Sequence, residues 1–368
     1  MYTKRTYSIG KMLKWTRHDI LWFLLISLIP VVLYTVFRWY WLHLPWLPIG
    51  LVGTAVAFII GFKNNASYDR LWEARKVWGG IVNASRSFAI MANDFITNER
   101  ADKKLSEEEL FSIRKKLIMR HVAWMSSLRH ALRTPKPWEI TTIRKAEKEY
   151  MKKFNIHERL YTLEQELEGY VSDKDKEFIL NKTNKQTACI TLQSKHLRQL
   201  KEDGYIWEFS FLEMEKMMVE FHTLQGKVER IKNFPYPRQF ATLNRYFVWI
   251  FVILLPFGMM NEFDKIGLSI VENMQQYKPY PNSGFHHIIE LIGQHFVWFT
   301  IPFSVIISWI FHTMERIGDV SENPFEGNGN DVPITTMSRG IEIDIRQIIG
   351  ENHETIPNPI ETKYNTQL

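Results

Sequence analysis

Apolar residues in this 368-residue chain fall into four blocks separated by charged sequence. Ile20 to Phe37 is an uncharged run of 18 with Pro30 inside it, long enough for a kinked first membrane-crossing helix. Arg38, Trp39, Tyr40, Trp41 and Trp46 then form an aromatic belt, and Pro45 and Pro48 make a turn. A second run begins near Ile49 and stays free of charge to Phe62. It becomes polar at Lys63-Asn64-Asn65 but meets no Pro before Pro135, which predicts one long helix leaving an apolar core and continuing into water. Gly50, Gly53, Ala55 and Ala57 offer small surfaces for close helix approach. The third block, Tyr246 to Met260, is short at 15 residues; extending it through Phe240 to Leu243 sets Arg245 near a membrane edge. Leu291 to Met314 is the cleanest span, 24 residues without a formal charge despite Pro302. Its polar positions, among them Ser304, Ser308, His295 and His312, serve as hydrogen-bonding glue between helices or, for the two histidines, as the lining of a wet path.

Between the second and third blocks the chain is charged and helical in period. LSEEELFSIRKKLIMRHVAWMSSLRHAL opens with Ser106 and Glu109 at capping-box spacing. IHERLYTLEQELEGYVSD and SFLEMEKMMVEFHTLQGKVERI read as further helices, and no alternating strand pattern of useful length is present. The pattern divides the chain into a basic arm (1–18), two membrane helices of which the second continues into the cytosol (19–96), and a helical cytosolic domain (97–236). Two more membrane helices with an external loop follow (237–316), then a turn and helix (317–349) and a polar tail (350–368), expected to be disordered or draped on a neighbour. The fold class is all-α, with four transmembrane helices and a large helical cytosolic domain. Five Lys/Arg precede the first block, one lies between the first two and many follow the second. The positive-inside rule then places both termini and the middle domain in the cytoplasm, for a multi-pass protein of the inner (plasma) membrane.

Composition narrows the chemistry. The net charge of +6 alone fits nucleic acid, anionic lipid or anions as partners. The charge of 97–234 is mixed rather than gathered into a basic face, which argues against nucleic acid. Cys189 is the single cysteine, so neither an intramolecular disulfide framework nor a multi-Cys zinc site is possible. No nucleophile elbow, Gly-rich phosphate loop, HExxH or paired-carboxylate motif occurs, and the expectation is a non-enzyme without cofactor or metal. On the second apolar helix Thr54, Phe58 and Phe62 stand at i, i+4 and i+8 and so share a face about two turns, roughly 12 Å, long. Around an axis such a face makes a hydrophobic constriction; against lipid or another helix it is ordinary packing.

GFKNNASYDRLWEARKVWGGIVNASR, from Gly61 to Arg86, resembles the signature of the bestrophin family in its bacterial form. That signature reads GF-x-N-N-x-x-Y-x-R-x-W-E-A-R-x-x-W-G, with N-x-S-R a few residues later. Leu71 departs from it, where the family usually has a second Trp. Glu322-Asn323-Pro324-Phe325-Glu326, through to Asp331-Val332-Pro333-Ile334, also resembles the family's N-P-F turn after the last membrane helix. Animal members carry an acidic calcium clasp there. Here only Glu326 and Asp331 are acidic between Phe325 and Ile334, so a rigid turn capping a helix that begins near Met337 is expected instead.

The resemblance covers nearly the whole chain and implies a homopentamer in membrane lipid around one axial pore. It assigns Thr54, Phe58 and Phe62 to the pore neck, with Thr54 standing where an apolar residue is usual, which makes that end easier to wet. Aligning Glu213-Met214 puts a second, cytosolic aperture at Tyr205 or Ile206, which can equally be packing residues. Lys63, Asn64, Asn65 and Arg70 follow the neck as an ion pathway, their amides and cations able to replace part of an anion's hydration shell. Tyr68, Trp72, Glu73, Arg75 and Trp78 are expected to tie the helix to its neighbours. Animal members pass chloride and some bacterial ones are cation-selective. The basic balance and Lys63 favour chloride or other small anions, whereas the acidic loop within 261–290 favours a monovalent cation such as sodium. A membrane scaffold or sensor whose cytosolic helices bind a partner is the remaining alternative.

Overall fold

The computed structural model describes residues 1–139, 154, 156–276 and 284–368. In chain order its helices are α1 (Ile9–Trp15), α2 (Arg17–Thr35), α3 (Trp46–Phe95), α4 (Glu107–Arg133), α5 (His157–Leu160), α6 (Leu163–Leu167) and α7 (Asp173–Leu180). They continue with α8 (Lys185–Glu202), α9 (Glu208–Asn233), α10 (Arg238–Gln276), α11 (Gly284–Gln294), α12 (Thr300–Ser321) and α13 (Ile334–Ile348). Among the described residues there is no β-strand, only isolated bridges near the two termini. The chain forms two compact units. An apolar one comprises 5–68 and 236–319, and a polar one comprises 1–4, 69–235 and 320–368. α3 gives its first part to the apolar unit and the rest to the polar unit.

In the apolar unit α2, α3, α10 and the run Phe296–Ser321 are long and apolar enough to cross a membrane. Phe23, Val56, Ile60, Phe251 and Leu255 form its core. The third span is far longer than its 15-residue apolar block. α10 runs 39 residues, and the stretch expected to begin an external loop at residue 261 adds about four more helical turns. Two of its acids have partners: the Tyr34 hydroxyl donates to Asp264 at 2.7 Å, and Lys265 pairs with Glu262 at 3.0 Å. α11 packs back on α10 through two glycines, since a Cβ at Gly267 would lie 2.5 Å from the Gly293 carbonyl oxygen. The rest of the expected loop, 277–283, lies outside the described residues. The uncharged run from Leu291 is not one helix: α11 ends at Gln294, a 3-10 turn covers Phe296–Phe299, and α12 starts at Thr300. Pro302 therefore sits in the first turn of α12, where its missing N–H has no intrahelical role.

In the polar unit α4 opens with the expected capping box, Ser106 accepting from the Glu109 amide while Glu109 accepts from Ser106. It is buried on every side from Leu117 to Leu128 apart from Met119 and packs against α6, α8 and α13. The segment IHERLYTLEQELEGYVSD, expected as one helix, is two short ones. Thr162 caps a new start by accepting from the Gln165 amide. The N-P-F turn is rigid. Phe325 is buried, its carbonyl accepts from Arg133 at 3.0 Å, and the Asp331 carboxylate accepts the amides of Gly327 and Asn328 at 2.6 and 3.0 Å. α13 begins just past it, at Ile334. The tail is bound to its own chain rather than loose. Thr3 donates to the Asn365 carbonyl at 2.9 Å, Gln367 to the Met1 carbonyl at 2.8 Å, and Thr336 to that of Leu368 at 2.8 Å.

Candidate pore-lining face

Six residues on the first part of α3, Ile49, Gly53, Val56, Ile60, Lys63 and Ser67, are buried at alternating steps of four and three. That spacing marks the seam facing the rest of the apolar unit. Thr54, Phe58 and Phe62 lie on the other side of the helix, exposed, with Phe58 and Phe62 at 65% and 70%. They line an open groove of about 750 Å³ that also includes Trp46, Asn65 and Phe311. Gly50, Ala57 and Gly61 keep the face shallow between the rings. The Thr54 hydroxyl donates to the Gly50 carbonyl at 3.0 Å, so its polar atom is satisfied along the helix. No lining residue is titratable. The face offers a pair of aromatic rings bounded by a hydroxyl and an amide, and no acid, base or nucleophile.

The four residues expected to follow the neck separate. Asn65 shares the groove. Asn64 is half-buried. Lys63 lies one residue, or about 100°, round the helix from Phe62 and points into the seam. It is 1% exposed and ion-paired with Asp319 and, at 3.4 Å, with Glu315. Arg245 completes the group, 3.0 Å from Asp319 and 3.9 Å from Glu315. Arg70, in the polar unit, donates to the carbonyls of Glu322, Phe234 and Ile231 at 2.8–3.0 Å. Lys63 and Arg70 thus hold partners of their own chain. Trp78 is fully buried and Glu73 pairs with Arg230 at 2.5 Å, as tying residues should, while Tyr68 and Trp72 are more than half exposed. Tyr205 and Ile206 belong to the hydrophobic core of the polar unit at 8% and 3% exposure. The Tyr205 hydroxyl donates to the Lys103 carbonyl at 3.1 Å, and its carbonyl accepts from Thr97 at 3.0 Å. Their burial favours the packing reading of that pair.

Glu315, Asp319 and Arg245 are the functional candidates that reading the sequence missed. A signal was there. Ser304, Ser308 and His312 continue to Glu315 and Asp319 at steps of four, four, three and four, but the uncharged run seemed complete at Met314.

The match to known proteins settles the family. The model of the Bacterial/Fungal Bestrophin protein family matches residues 6–272 and 289–347. The chain belongs to the bestrophin family. It is a membrane protein, and its four long apolar helices are those the family model spans. A bacterial bestrophin homologue from Klebsiella pneumoniae, known from a crystal structure, shares the fold with a TM-score of 0.67 and 22% identity, over 90% of this chain and 98% of that one. A voltage-dependent anion channel-forming protein of Ralstonia nicotianae is 26% identical over 318 residues, 84% of this chain and 82% of that protein. One of the same name from Escherichia coli is 21% identical over 304 residues, 83% and 77% of the two chains.

Proposed function

We propose that this bestrophin is an anion channel, chloride favoured, formed by five copies around an axis in the inner membrane with both termini cytoplasmic. Thr54, Phe58 and Phe62 form its neck. The observation that carries the reading is the exposed face of α3: two aromatic rings on one stripe, bounded by Thr54 and Asn65, with the helix's charged side chain turned away into the seam. An apolar constriction of this kind holds back water and ions until it widens or wets. The Ralstonia and Escherichia relatives, known as anion channel-forming proteins, support anions. Lys63 and Arg70 act on the ions indirectly, by holding the helix.

The test is reversal potential across a planar bilayer holding purified protein under a potassium chloride gradient. A shift toward the chloride equilibrium potential is expected; a shift toward that of potassium would make the channel cation-selective and refute the anion reading. The double variant Phe58→Ala/Phe62→Ala should raise current severalfold at unchanged protein density, and unchanged current would sink the neck.

A further inference from the structure

We infer that Lys63, Arg245, Glu315 and Asp319 form a charge lock that sets the rotational position of the neck helix, making them positioning residues for the gate. The inference rests on the neck reading above. Lys63 is bonded directly to Phe62, so a pull on its ammonium that the side chain does not absorb turns or shifts the ring beside it. Its side chain is 2% exposed and Glu315 is fully buried, at the seam between α3 and α12. Two cations face two anions: Lys63 touches both carboxylates, and Arg245 on α10 approaches the same two from another side. Arg238, two turns before Arg245, adds a third cation within electrostatic reach of Asp319.

A second observation shows that the seam is closed tightly at this level. A Cβ at Gly318 would overlap the Asn64 side-chain oxygen and come within 3.7 Å of Lys63 Cγ. A side chain here would have to push the Asn64 amide aside, and the close approach of α12 to α3 brings both carboxylates onto Lys63. α12 is also anchored on its adjoining stripe. Arg316 donates to Asp19 at 2.7 Å and to the Trp15 carbonyl at 3.1 Å, and Trp309 donates to Thr16 at 2.9 Å. The lock therefore ties the neck helix to a helix that is itself fixed. Buried charges of opposite sign tolerate removal together far better than singly, because a lone survivor keeps its desolvation cost without its partner. The same asymmetry makes the lock a lever. Unbalancing it favours whichever neck position hydrates the stranded charge.

The experiment compares Lys63→Met, Lys63→Met/Glu315→Gln and Gly318→Ala with wild type by single-channel recording, with a size-exclusion profile for each. The double variant removes one charge of each sign and leaves the Arg245–Asp319 pair intact. Lys63→Met should change open probability roughly tenfold or more, and the double variant should return it to within about threefold of wild type. Unitary conductance and reversal potential should stay at wild-type values in both, since Lys63 does not face the groove. Gly318→Ala should shift open probability without altering any charge. A Lys63→Met protein that fails to fold while the double variant folds and gates normally also supports the lock. Changed conductance or reversal potential at constant open probability would overturn it by placing Lys63 in the ion path. A double variant no nearer to wild type than the single, or Gly318→Ala at wild-type open probability, overturns it as well. Phe58→Ala/Phe62→Ala in the same bilayers separates the two readings. Unchanged current there rejects the neck; raised current with wild-type open probability in the lock variants rejects the lock alone.

Discussion

Lys63 with Glu315, Asp319 and Arg245 in the apolar unit, and Arg129 with Glu158, Glu166 and His130 in the polar unit, place similar chemistry in two surroundings. The polar cluster is tied from many sides. Ser126 and His130 both bond Glu166 at 2.8 Å, and Thr335 donates to Glu158 at 2.8 Å. Burial would push the Glu166 carboxyl up, but His130 and Arg129 outweigh it and hold the group at about 2. Glu158 is drawn down in the same way. Four helices, α4, α5, α6 and α13, meet on that cluster, so it is a cross-brace. The apolar cluster sets Lys63 and Arg245 against Glu315 and Asp319, with Arg238 within electrostatic reach, and joins three helices at a seam of small and apolar side chains. Neutral and charged donors joining four helices make the first cluster hard to move; the second is held by bonds between its charged groups, so removing one charge tips it. The first suits a scaffold and the second a gate.

Breaking the brace should have the largest effect on stability. Arg129→Met removes the cation shared by two buried carboxylates and is expected to cost the polar unit about 3 kcal/mol, read as a lowered midpoint of thermal or chemical denaturation. A loss under about 1 kcal/mol would mean that the cluster is solvated and the contrast between the two units is false. Next comes pH. His121 lies among Phe88, Trp124 and Phe221, and burial lowers it to about 3. Its folded pKa is below the unfolded one, so its contribution is complete above about 6.5 and lost as pH falls toward 3. At pH 5 the wild type should have lost about 2 kcal/mol through this residue. Asp331 works in the other direction: burial pushes it up to about 6, so its contribution is complete below the ordinary carboxyl range and lost as pH rises through 6. Comparing His121→Phe with wild type at pH 7 and pH 5 isolates the histidine, and a gap that does not shift toward the variant at pH 5 would show that His121 is charged in the fold. The smallest effect belongs to the exposed pair Arg86–Asp344, bonded at 2.9 Å through Nε. Arg86→Ala should change stability by no more than about 1 kcal/mol, and a larger loss would show that solvent screening does not separate surface pairs from buried ones.

Much of the fold could be read along the chain because the reporting features are local. Apolar runs marked all four spans, Ser106 and Glu109 announced the start of α4, and Gly61 to Arg86 carried the family signature. Errors arose where a distant partner changed the meaning of a residue. Asp264 looked like a loop residue, but the Tyr34 hydroxyl from α2 bonds it and α10 runs on to Gln276. The polar tail looked loose, but its backbone pairs with residues 1–3 and with Thr336.

The candidate site divides along the same line. Helical period alone determined that Thr54, Phe58 and Phe62 share one face, because a step of four residues returns nearly to the same side of a helix. The same period turns Lys63 about 100° from Phe62, although Lys63 was expected to follow the neck in the ion pathway. Only the tertiary structure decided that Lys63 meets Glu315 and Asp319, more than 250 residues away, and that Tyr205 and Ile206 lie in a core. Spacing along a helix is a property of the backbone and can be counted in the sequence. Which charge neutralises which depends on the approach of α12 to α3, and that approach exists only once both helices are packed.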